Sequence, residues 1–583
     1  MNFIVIYCVR ASILTQLKKL RSIISDTSMT QLQTLKNILL GKSDGVHLKK
    51  MMTPRLGVVW VFLIEVKEMS NSVLFLNPKQ QPQVLPATEA FYKDLNLSSL
   101  FKQIQEKTGY RLEPFCFQPL RSAKEIKYRQ QVFRDLQVTE NFKLFADLGN
   151  EIKQVNFSLE NLQRTEPLQY RQEQFLLLLS RQEQAVKEFV QQAAQVKLLS
   201  PGLRRFLSGL RVYMAAEPTK RLQQQLEQLH LKLTKINYRL IVKGRLVKVQ
   251  KNPEQVQPMR EKFFQSFNGL FETTTAIDEP VKIDSIEHES GLNNIQAAIF
   301  RLLPKLYPNE FESLNSFYQQ YLHYTIPELN QVCRELEFYL AWIAIEQKIS
   351  QRKLSFCLPQ IIQIGEEQVN DSFDFELAVK SYRKKNFKIV TNNFDLPGNK
   401  SFLIISGPNQ GGKTTYARMS GINYYLLALG VAIPGGTAML KLRPKLLTHF
   451  EREETADKLT GLLAADVERI HQIVTVADQQ SFVILNELFS STAAKDAAVL
   501  GKKVLNLLQA KKAAGIYVTF LEELGQQPAT VTLMSQVNQN AQRSYKIIPA
   551  PLNNQVYADL LLEKYNLTIA AIEGGLKNES SID

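Results

Sequence analysis

The sequence predicts a multidomain chain in which a mainly α-helical region is followed by a C-terminal α/β domain. Residues 90–200 and 290–350 carry apolar side chains at helical spacing. From about residue 380, short continuous apolar runs alternate with helical stretches, which is typical of a mostly parallel sheet. A length of 583 residues accommodates roughly three or four domains of about 150 residues each.

The first 68 residues differ in composition from the rest of the chain. They contain ten Lys/Arg against four Asp/Glu, and the whole chain has a net charge of +15, which favours a polyanionic partner such as nucleic acid or an anionic membrane surface. The apolar runs Phe3–Val9 and Leu56–Ile64 are shorter than the ~20 residues that cross a bilayer. We interpret Leu56–Ile64 as a buried strand, and residues 1–68 as a basic, poorly defined extension without a signal peptide.

The four cysteines stand at positions 8, 116, 333 and 357, with no CxxC spacing. A disulfide framework or a zinc site is therefore not expected. A cytoplasmic protein that does not enter a membrane is the simplest interpretation.

Residues 69–375 are predicted to form a helical core or lever region. Within residues 218–240, leucines recur at spacings of four, three and four, as in an amphipathic helix. The following YRLIVKGRLVKVQ alternates apolar and basic residues around Gly244, as a short β-hairpin would. Residues 218–260 are a possible clamp for a polyanion, or equally a solvated edge strand protected by lysines. The candidate DNA contacts are Lys243, Arg245, Lys248 and Lys251.

The segment GPNQGGKT, residues 407–414, matches GxxxxGK[ST] in full. In such a loop, backbone N–H groups surround phosphate oxygens, the lysine contacts the outer phosphates and the Ser/Thr hydroxyl ligates Mg²⁺. A strand-like FLII precedes the loop, and a helical stretch ending at Gly430 follows it. We therefore predict that residues 376–583 form an ABC-type P-loop ATPase domain. Its ATP-binding residues are predicted to be Gly407, Pro408, Asn409, Gln410, Gly411, Gly412, Lys413, Thr414 and Thr415.

A second motif, FVILNELFSS, places Asn486 and Glu487 after a strand-like run. ATPases of this kind normally carry an Asp-Glu pair here, in which the Asp orients the hydration shell of Mg²⁺ and the Glu positions or deprotonates the attacking water. We predict Glu487 as the catalytic residue, and Thr414 and Asn486 as the metal-site residues. Since Asn486 has no negative charge, we expect weaker metal binding. The alternative is a strand-end turn without a catalytic role.

These motifs resemble the MutS family. IISGPNQGGKTTYARM is similar to its phosphate loop, and ILNELFSSTAAKDA to its second motif with the dimer-contact loop that follows. Thr460 and Gly461 match the family signature that reaches the partner subunit's ATP, and IYVTFLEEL matches the segment with Ala-Thr-His, except that Phe520 replaces the histidine. The resemblance covers residues 90–583, strongly in the last 200.

Two departures from the family pattern affect the functional expectation. No segment resembles the N-terminal mismatch-reading domain, because the Phe-x-Glu of Phe520-Leu521-Glu522 lies inside the ATPase segment. The changes at Asn486 and Phe520 also predict slower hydrolysis. Phe387 lies near the place of the family's adenine-stacking aromatic residue, although the best register puts Ile389 there.

The resemblance implies a cytoplasmic homodimer in which ATP and Mg²⁺ bind between head-to-tail ATPase domains. ATP binding would then close a clamp on double-stranded DNA. We expect this binding to be structure-dependent or nonspecific, and family membership assigns the protein to mismatch repair. The alternative is an ABC-like, ATP-dependent conformational scaffold that binds protein partners in place of DNA.

Overall fold

The computed structural model describes residues 46–53, 57–64, 72–77, 84–86, 89–243, 246–252, 294–384, 387–450, 462–537 and 543–553. The chain divides into two compact units, Met1–Ser70 and Asn71–Asp583. Within the ranges described, none of the helices combines the length and the apolar character that a membrane span requires.

The first unit contains an antiparallel hairpin of β1 (Val46–Thr53) and β2 (Gly57–Ile64). The interpretation of Leu56–Ile64 as a strand is thus confirmed over Gly57–Ile64. This hairpin lies within residues 1–68, and the β-branched and aromatic residues in GVVWVFLI favour such extended pairing. Residues 1–45 lie outside the described part of the chain.

The second unit begins with helices, as the periodicity predicts. Those described before the sheets are α1 (Ala90–Asp94), α2 (Leu97–Thr108), α3 (Ala123–Gln137), α4 (Thr139–Leu162), α5 (Leu168–Gln192), α6 (Pro201–Ala215), α7 (Glu217–Thr234), α8 (Asn294–Leu306), α9 (Pro308–Tyr321) and α10 (Pro327–Ser350). Short 3₁₀ turns occur at Phe115–Phe117 and Glu522–Leu524. Proline at the start of α6, α7, α9 and α10 is consistent with its fixed φ and missing N–H.

The β-hairpin predicted around Gly244 is confirmed on both sides of that residue. Strand β3 (Tyr238–Lys243) pairs antiparallel with β4 (Leu246–Lys251). Val249 is buried in one apolar cluster with Leu222, Leu226 and Leu229 of α7. The leucine spacing therefore marks the face of α7 that packs in this cluster.

The α/β region contains a six-stranded sheet in the order β12-β13-β14-β9-β15-β16, parallel except for β16. Its strands are β9 (Phe402–Ser406), β12 (Lys445–Phe450), β13 (Ser481–Asn486), β14 (Ala514–Val518), β15 (Thr530–Val537) and β16 (Arg543–Pro549). The helices among them are α12 (Lys413–Leu429), α13 (Leu462–Val476) and α14 (Ala494–Ala510). The apolar runs FLIIS, FVIL and GIYV are thus parallel strands, as predicted.

A second sheet has the order β6-β11-β7-β8. It comprises β6 (Gln360–Ile362), β7 (Glu367–Ser372), β8 (Asn392–Leu396) and β11 (Thr437–Lys441), while β5 (Phe356–Cys357) pairs with β10 (Ile433–Pro434) and α11 (Phe375–Ser381) follows β7. The α/β region therefore includes strands that precede residue 376, where the sequence places the start of the domain.

Arg129 of α3 connects the helical region to the end of α12. The side chain is fully buried; Nη1 donates to the carbonyl oxygen of Leu429 at 2.9 Å and Nε donates to that of Leu74 at 3.0 Å. Burial lowers the pKa of Arg129 to about 10. Gly430 ends α12 with φ +73°, and a Cβ there would lie 2.9 Å from the Cβ of Arg129. The helix that carries the phosphate-loop lysine is thus fixed at its far end by the helical region.

Candidate functional site

The loop between β9 and α12, residues 407–412, is called the glycine loop below. Its backbone turns through positive φ at Gly407 (+121°), Gln410 (+58°) and Gly412 (+95°). Gly407 cannot gain a side chain without movement, because a Cβ there would lie 2.9 Å from the Cβ of Ser535. Since α12 begins at Lys413, its N-terminus and the unpaired N–H groups of its first turn adjoin the loop.

Lys413 is folded back onto the glycine loop. Its Nζ donates to the carbonyl oxygens of Gly407 at 2.7 Å and Pro408 at 3.0 Å, and only 4% of the residue is exposed. Burial lowers the pKa of Lys413, and the nearby Glu487 carboxylate partly opposes that shift. The ammonium group therefore already lies at the loop that is predicted to hold phosphates.

Asn486 and Glu487 meet the glycine loop at the carboxyl edge of the sheet. The Thr414 hydroxyl donates to Oδ1 of Asn486 at 3.1 Å. Glu487 has φ +55°, and its N–H donates to the carbonyl oxygen of Val518 at 3.0 Å, so the turn after β13 is anchored to β14. Residues separated by about seventy positions in the sequence thus share one site.

The hairpin of β15 and β16 contacts the glycine loop. The sequence motifs did not predict this contact. The Ser535 hydroxyl donates to the carbonyl oxygen of Gly411 at 2.7 Å, and Arg543 Nη1 donates to Oε1 of Gln410 at 3.0 Å. Tyr545, at φ +59°, lies against Gly412. No motif marks these residues, so the contacts appear only once the strands are paired.

A pocket of about 400 Å³ opens beside the glycine loop. Its lining includes Asn409–Tyr416, Glu487, Tyr545, Phe387 and Asp374. The best register places Ile389 at the position of the family's adenine-stacking aromatic residue. Ile389 packs against the main apolar cluster instead. Phe387 is therefore the residue of that pair that borders the pocket.

Asp374 is a carboxyl group of this pocket with an altered pKa. Its Oδ1 accepts from the N–H of Leu377 at 3.0 Å and so caps α11. Burial raises the pKa of Asp374 to about 6, although the Leu377 N–H opposes the shift.

Phe520 follows β14 and faces the same lysine. The centroid of its ring lies 4.2 Å from Nζ of Lys413, while 43% of the residue remains exposed. An aromatic ring thus occupies the position where the resemblance leads one to expect a histidine.

The other predicted site residues lie elsewhere or outside the described residues. Thr460 and Gly461 are not described; α13 begins immediately after them, and Leu463 is exposed. Of the candidate DNA contacts, Lys248 is exposed, and Lys251 is exposed with Nζ 4.9 Å from the Tyr307 ring centroid. Arg245 and the side chain of Lys243 lie outside the described part of the hairpin.

The residues at and beside the pocket suit ATP and Mg²⁺. Thr414, which lines the pocket, and its hydrogen-bond partner Asn486 present two neutral oxygen atoms 3.1 Å apart, and oxygen is the ligand type that Mg²⁺ prefers. The region of the glycine loop and Lys413 offers N–H groups and an ammonium group, which suit phosphate oxygens. In the described residues, no group of three or more His, Cys, Asp or Glu side chains forms a competing metal site.

Comparison with known proteins shows what the C-terminal part of the chain is similar to. Residues 403–577 match the model described as MutS domain V. The chain is 35% identical to "Endonuclease MutS2" of Thermotoga petrophila over 134 residues, which are 23% of this chain and 17% of that protein. It is 27% identical to the Thermus thermophilus protein of the same name over 135 residues, 23% of this chain and 18% of that protein.

A further relative is "DNA mismatch repair protein MutS" of Borrelia hermsii, 24% identical over 148 residues. That alignment covers 25% of this chain and 17% of the relative, so the matches span less than one fifth of each relative's length. The segment that matches domain V contains the glycine loop and also Lys413, Asn486 and Glu487. The C-terminal part of the chain is thus similar to MutS domain V.

Proposed function

We propose that this chain is a MutS-like, ATP-dependent DNA-binding protein whose C-terminal domain hydrolyses ATP to ADP and phosphate. One observation carries the proposal: the glycine loop, Lys413, Thr414 and Glu487 border a single pocket of about 400 Å³. The sequence similarity lies in the same part of the chain.

Each group has a role that follows from its chemistry. The glycine loop and the N-terminus of α12 hold the phosphates, and Lys413 moves from the loop carbonyls to the outer phosphate oxygens. Thr414 and Asn486 would hold Mg²⁺ through their side-chain oxygen atoms, and the ion would supply positive charge to the phosphates. Glu487 orients or deprotonates the attacking water.

The pocket also has aromatic surfaces for a base. Phe387 and Tyr545 both line it, and the two are 40% and 49% exposed. Their rings offer stacking faces that tolerate a planar heterocycle. We propose them as the adenine contacts.

Two substitutions test the ATPase. Lys413→Ala should abolish ATP binding in a calorimetric titration, because the main cation for the outer phosphates is lost. Glu487→Ala should retain binding while the turnover rate falls by about 10²-fold or more. Lys400→Ala, just before β9, and Glu523→Ala, an exposed carboxylate beyond β14, are the charge-matched controls. Turnover by Glu487→Ala at the wild-type rate would remove Glu487 from the catalytic role.

The family resemblance supports a homodimer in which Thr460 and Gly461 of one protomer complete the other protomer's site. ATP binding would favour a closed dimer that clamps double-stranded DNA in a structure-dependent or nonspecific way. Sedimentation of Glu487→Ala with and without ATP tests this, since trapped ATP should raise the dimer fraction. A protein-binding scaffold is the alternative. Its supporting observation is that Lys251, a candidate DNA contact, already faces the ring of Tyr307.

A further inference from the structure

Three groups contact the ammonium of Lys413. Two are the carbonyl oxygens of Gly407 and Pro408, at 2.7 and 3.0 Å from Nζ. The third is the face of Phe520, whose ring centroid is 4.2 Å from the same nitrogen. A lysine ammonium has three N–H donors, so this arrangement provides a partner for its full donor set.

Hydrogen bonds of the neighbouring residues help to fix the position of Phe520. The N–H of Thr519 donates to the carbonyl oxygen of Ile405 at 2.9 Å, and the N–H of Leu521 donates to the Thr519 hydroxyl at 3.1 Å. These bonds fix the chain on both sides of Phe520 next to the root of the glycine loop. Because 43% of Phe520 is exposed, burial of apolar area is a weak reason for its position.

The arrangement conflicts with the role of Lys413 in phosphate binding. An ammonium that donates to two loop carbonyls and faces a ring has to leave those partners to reach the outer phosphates. We propose that Phe520 is a positioning residue that retains Lys413 on the glycine loop, so that a nucleotide must displace the ammonium from the ring. This inference rests on the proposed ATP-binding function.

The consequence is a lower nucleotide affinity than the same loop would have without the ring. A cation over an aromatic face at a partly buried site is stabilised enough to change an equilibrium by about threefold to tenfold. The apparent affinity falls in proportion to the fraction of protein that is ready to bind. A phenyl ring also has no N–H or O–H donor for a phosphate, so it does not stabilise the bound nucleotide by a hydrogen bond.

Graded fluorination of the ring tests the proposal with little change of shape. Phenylalanine analogues with one to five ring fluorines, incorporated at position 520, progressively weaken the negative face of the ring. The dissociation constant for ATP with Mg²⁺, measured by calorimetry, should fall steadily along the series by about threefold to tenfold in total. The same series at Phe157, which is 62% exposed on α4, should leave the dissociation constant unchanged. A flat series at position 520 would overturn the proposal.

A measurement on the nucleotide-free protein separates this inference from the proposed function. Acetylation of Lys413 by an N-hydroxysuccinimide ester, followed by mass spectrometry, should be about threefold to tenfold faster in Phe520→Leu than in wild type. Lys503, exposed on α14, provides the internal standard. If wild type binds no adenine nucleotide, the proposed function fails, while the labelling ratio still decides whether Phe520 holds Lys413. If ATP binds and both the labelling and the affinities are unchanged, the inference alone is wrong.

Discussion

Asn486 supplies an uncharged amide at the point where the Thr414 hydroxyl meets the end of β13. Its Oδ1 accepts from Thr414 at 3.1 Å, so the side chain is correctly placed but lacks the charge that attracts a divalent ion. Asn486→Asp should lower the Mg²⁺ concentration for half-maximal ATP turnover by about threefold to tenfold, since one added charge near a cation is worth at least about 1 kcal/mol. A magnesium titration at saturating ATP measures the shift.

The control for this substitution is Asn506→Asp on the exposed face of α14. It changes the net charge equally but is not the hydrogen-bond partner of Thr414. An unchanged magnesium titration for Asn486→Asp would show that position 486 does not take part in metal binding.

Glu346 of α10 is a buried carboxyl group whose charged form is unfavourable in the folded state. Burial raises the pKa of Glu346 to about 8, opposed by Gln137, whose Nε2 donates to Oε2 at 3.4 Å. The unfolded chain releases this proton near pH 4.5, so stability falls as the pH rises from about 4.5 to about 8. At pH 8, the free energy of unfolding of Glu346→Gln should therefore exceed that of wild type by on the order of a few kcal/mol. The variant should accordingly unfold at a higher temperature.

At pH 5, both the wild-type side chain and its glutamine replacement are neutral in the folded protein, so the difference in unfolding temperature should nearly vanish. Glu312→Gln, on an exposed position of α9, should show no pH-dependent difference. Equal unfolding temperatures of wild type and Glu346→Gln at pH 8 would contradict the assigned burial penalty.

At the residue scale, short motifs located side chains that the fold brings together. Lys413, Thr414, Asn486 and Glu487 lie close to one another because loop and strand-end positions have fixed places on a parallel sheet, while their chemical roles stay predictions. Sequence reasoning was inconclusive for Phe387 and Ile389, because a register error of two residues exchanges a pocket-lining side chain for a core one.

At the scale of elements, the hairpin of β15 and β16 supports the glycine loop. Ser535 provides the hydrogen bond to the carbonyl oxygen of Gly411 and is itself buried. Ser535→Ala leaves that oxygen without its donor and the loop less well ordered. The dissociation constant for ATP should rise by about threefold to tenfold, in line with the loss of one buried hydrogen bond.

Ser544 offers a matched control for Ser535 in the same hairpin. Its hydroxyl donates to the carbonyl oxygen of Gln536 at 2.8 Å but not to the glycine loop. Calorimetric titrations of Ser535→Ala and Ser544→Ala should therefore differ, with Ser544→Ala close to wild type. Equal affinities in both variants would mean that the hairpin does not support nucleotide binding.

The elements that the sequence predicts are those with a local signal. Strands β9, β13 and β14 are continuous apolar runs, and α7 has a regular leucine stripe. Strands β6, β7 and β11 are short and mixed in polarity, and their pairing joins residues some seventy positions apart. Pairings of that kind are set by tertiary packing, so periodicity alone does not identify them.

At the scale of the whole second unit, the pocket beside the glycine loop and the β3–β4 hairpin lie on segments far apart in sequence. Arg129 joins α3 of the helical region to the end of α12, because its Nη1 donates to the carbonyl oxygen of Leu429. If ATP binds as we propose, a shift of α12 would act on α3 through this contact.

DNA binding itself can be tested through its salt dependence. If lysines of the β3–β4 hairpin contact phosphates, the logarithm of the association constant for duplex DNA should fall linearly with the logarithm of salt concentration. Lys248→Ala combined with Lys251→Ala should reduce the steepness of that line by roughly 1.8, about 0.9 for each lost phosphate contact. Lys502→Ala combined with Lys503→Ala on α14 is the charge-matched control. Homoduplex, mismatched and branched DNA, each with and without ATP, show which structure is preferred. If no duplex binds at low salt in either condition, the protein-binding scaffold replaces the DNA clamp as the better account of this ATPase.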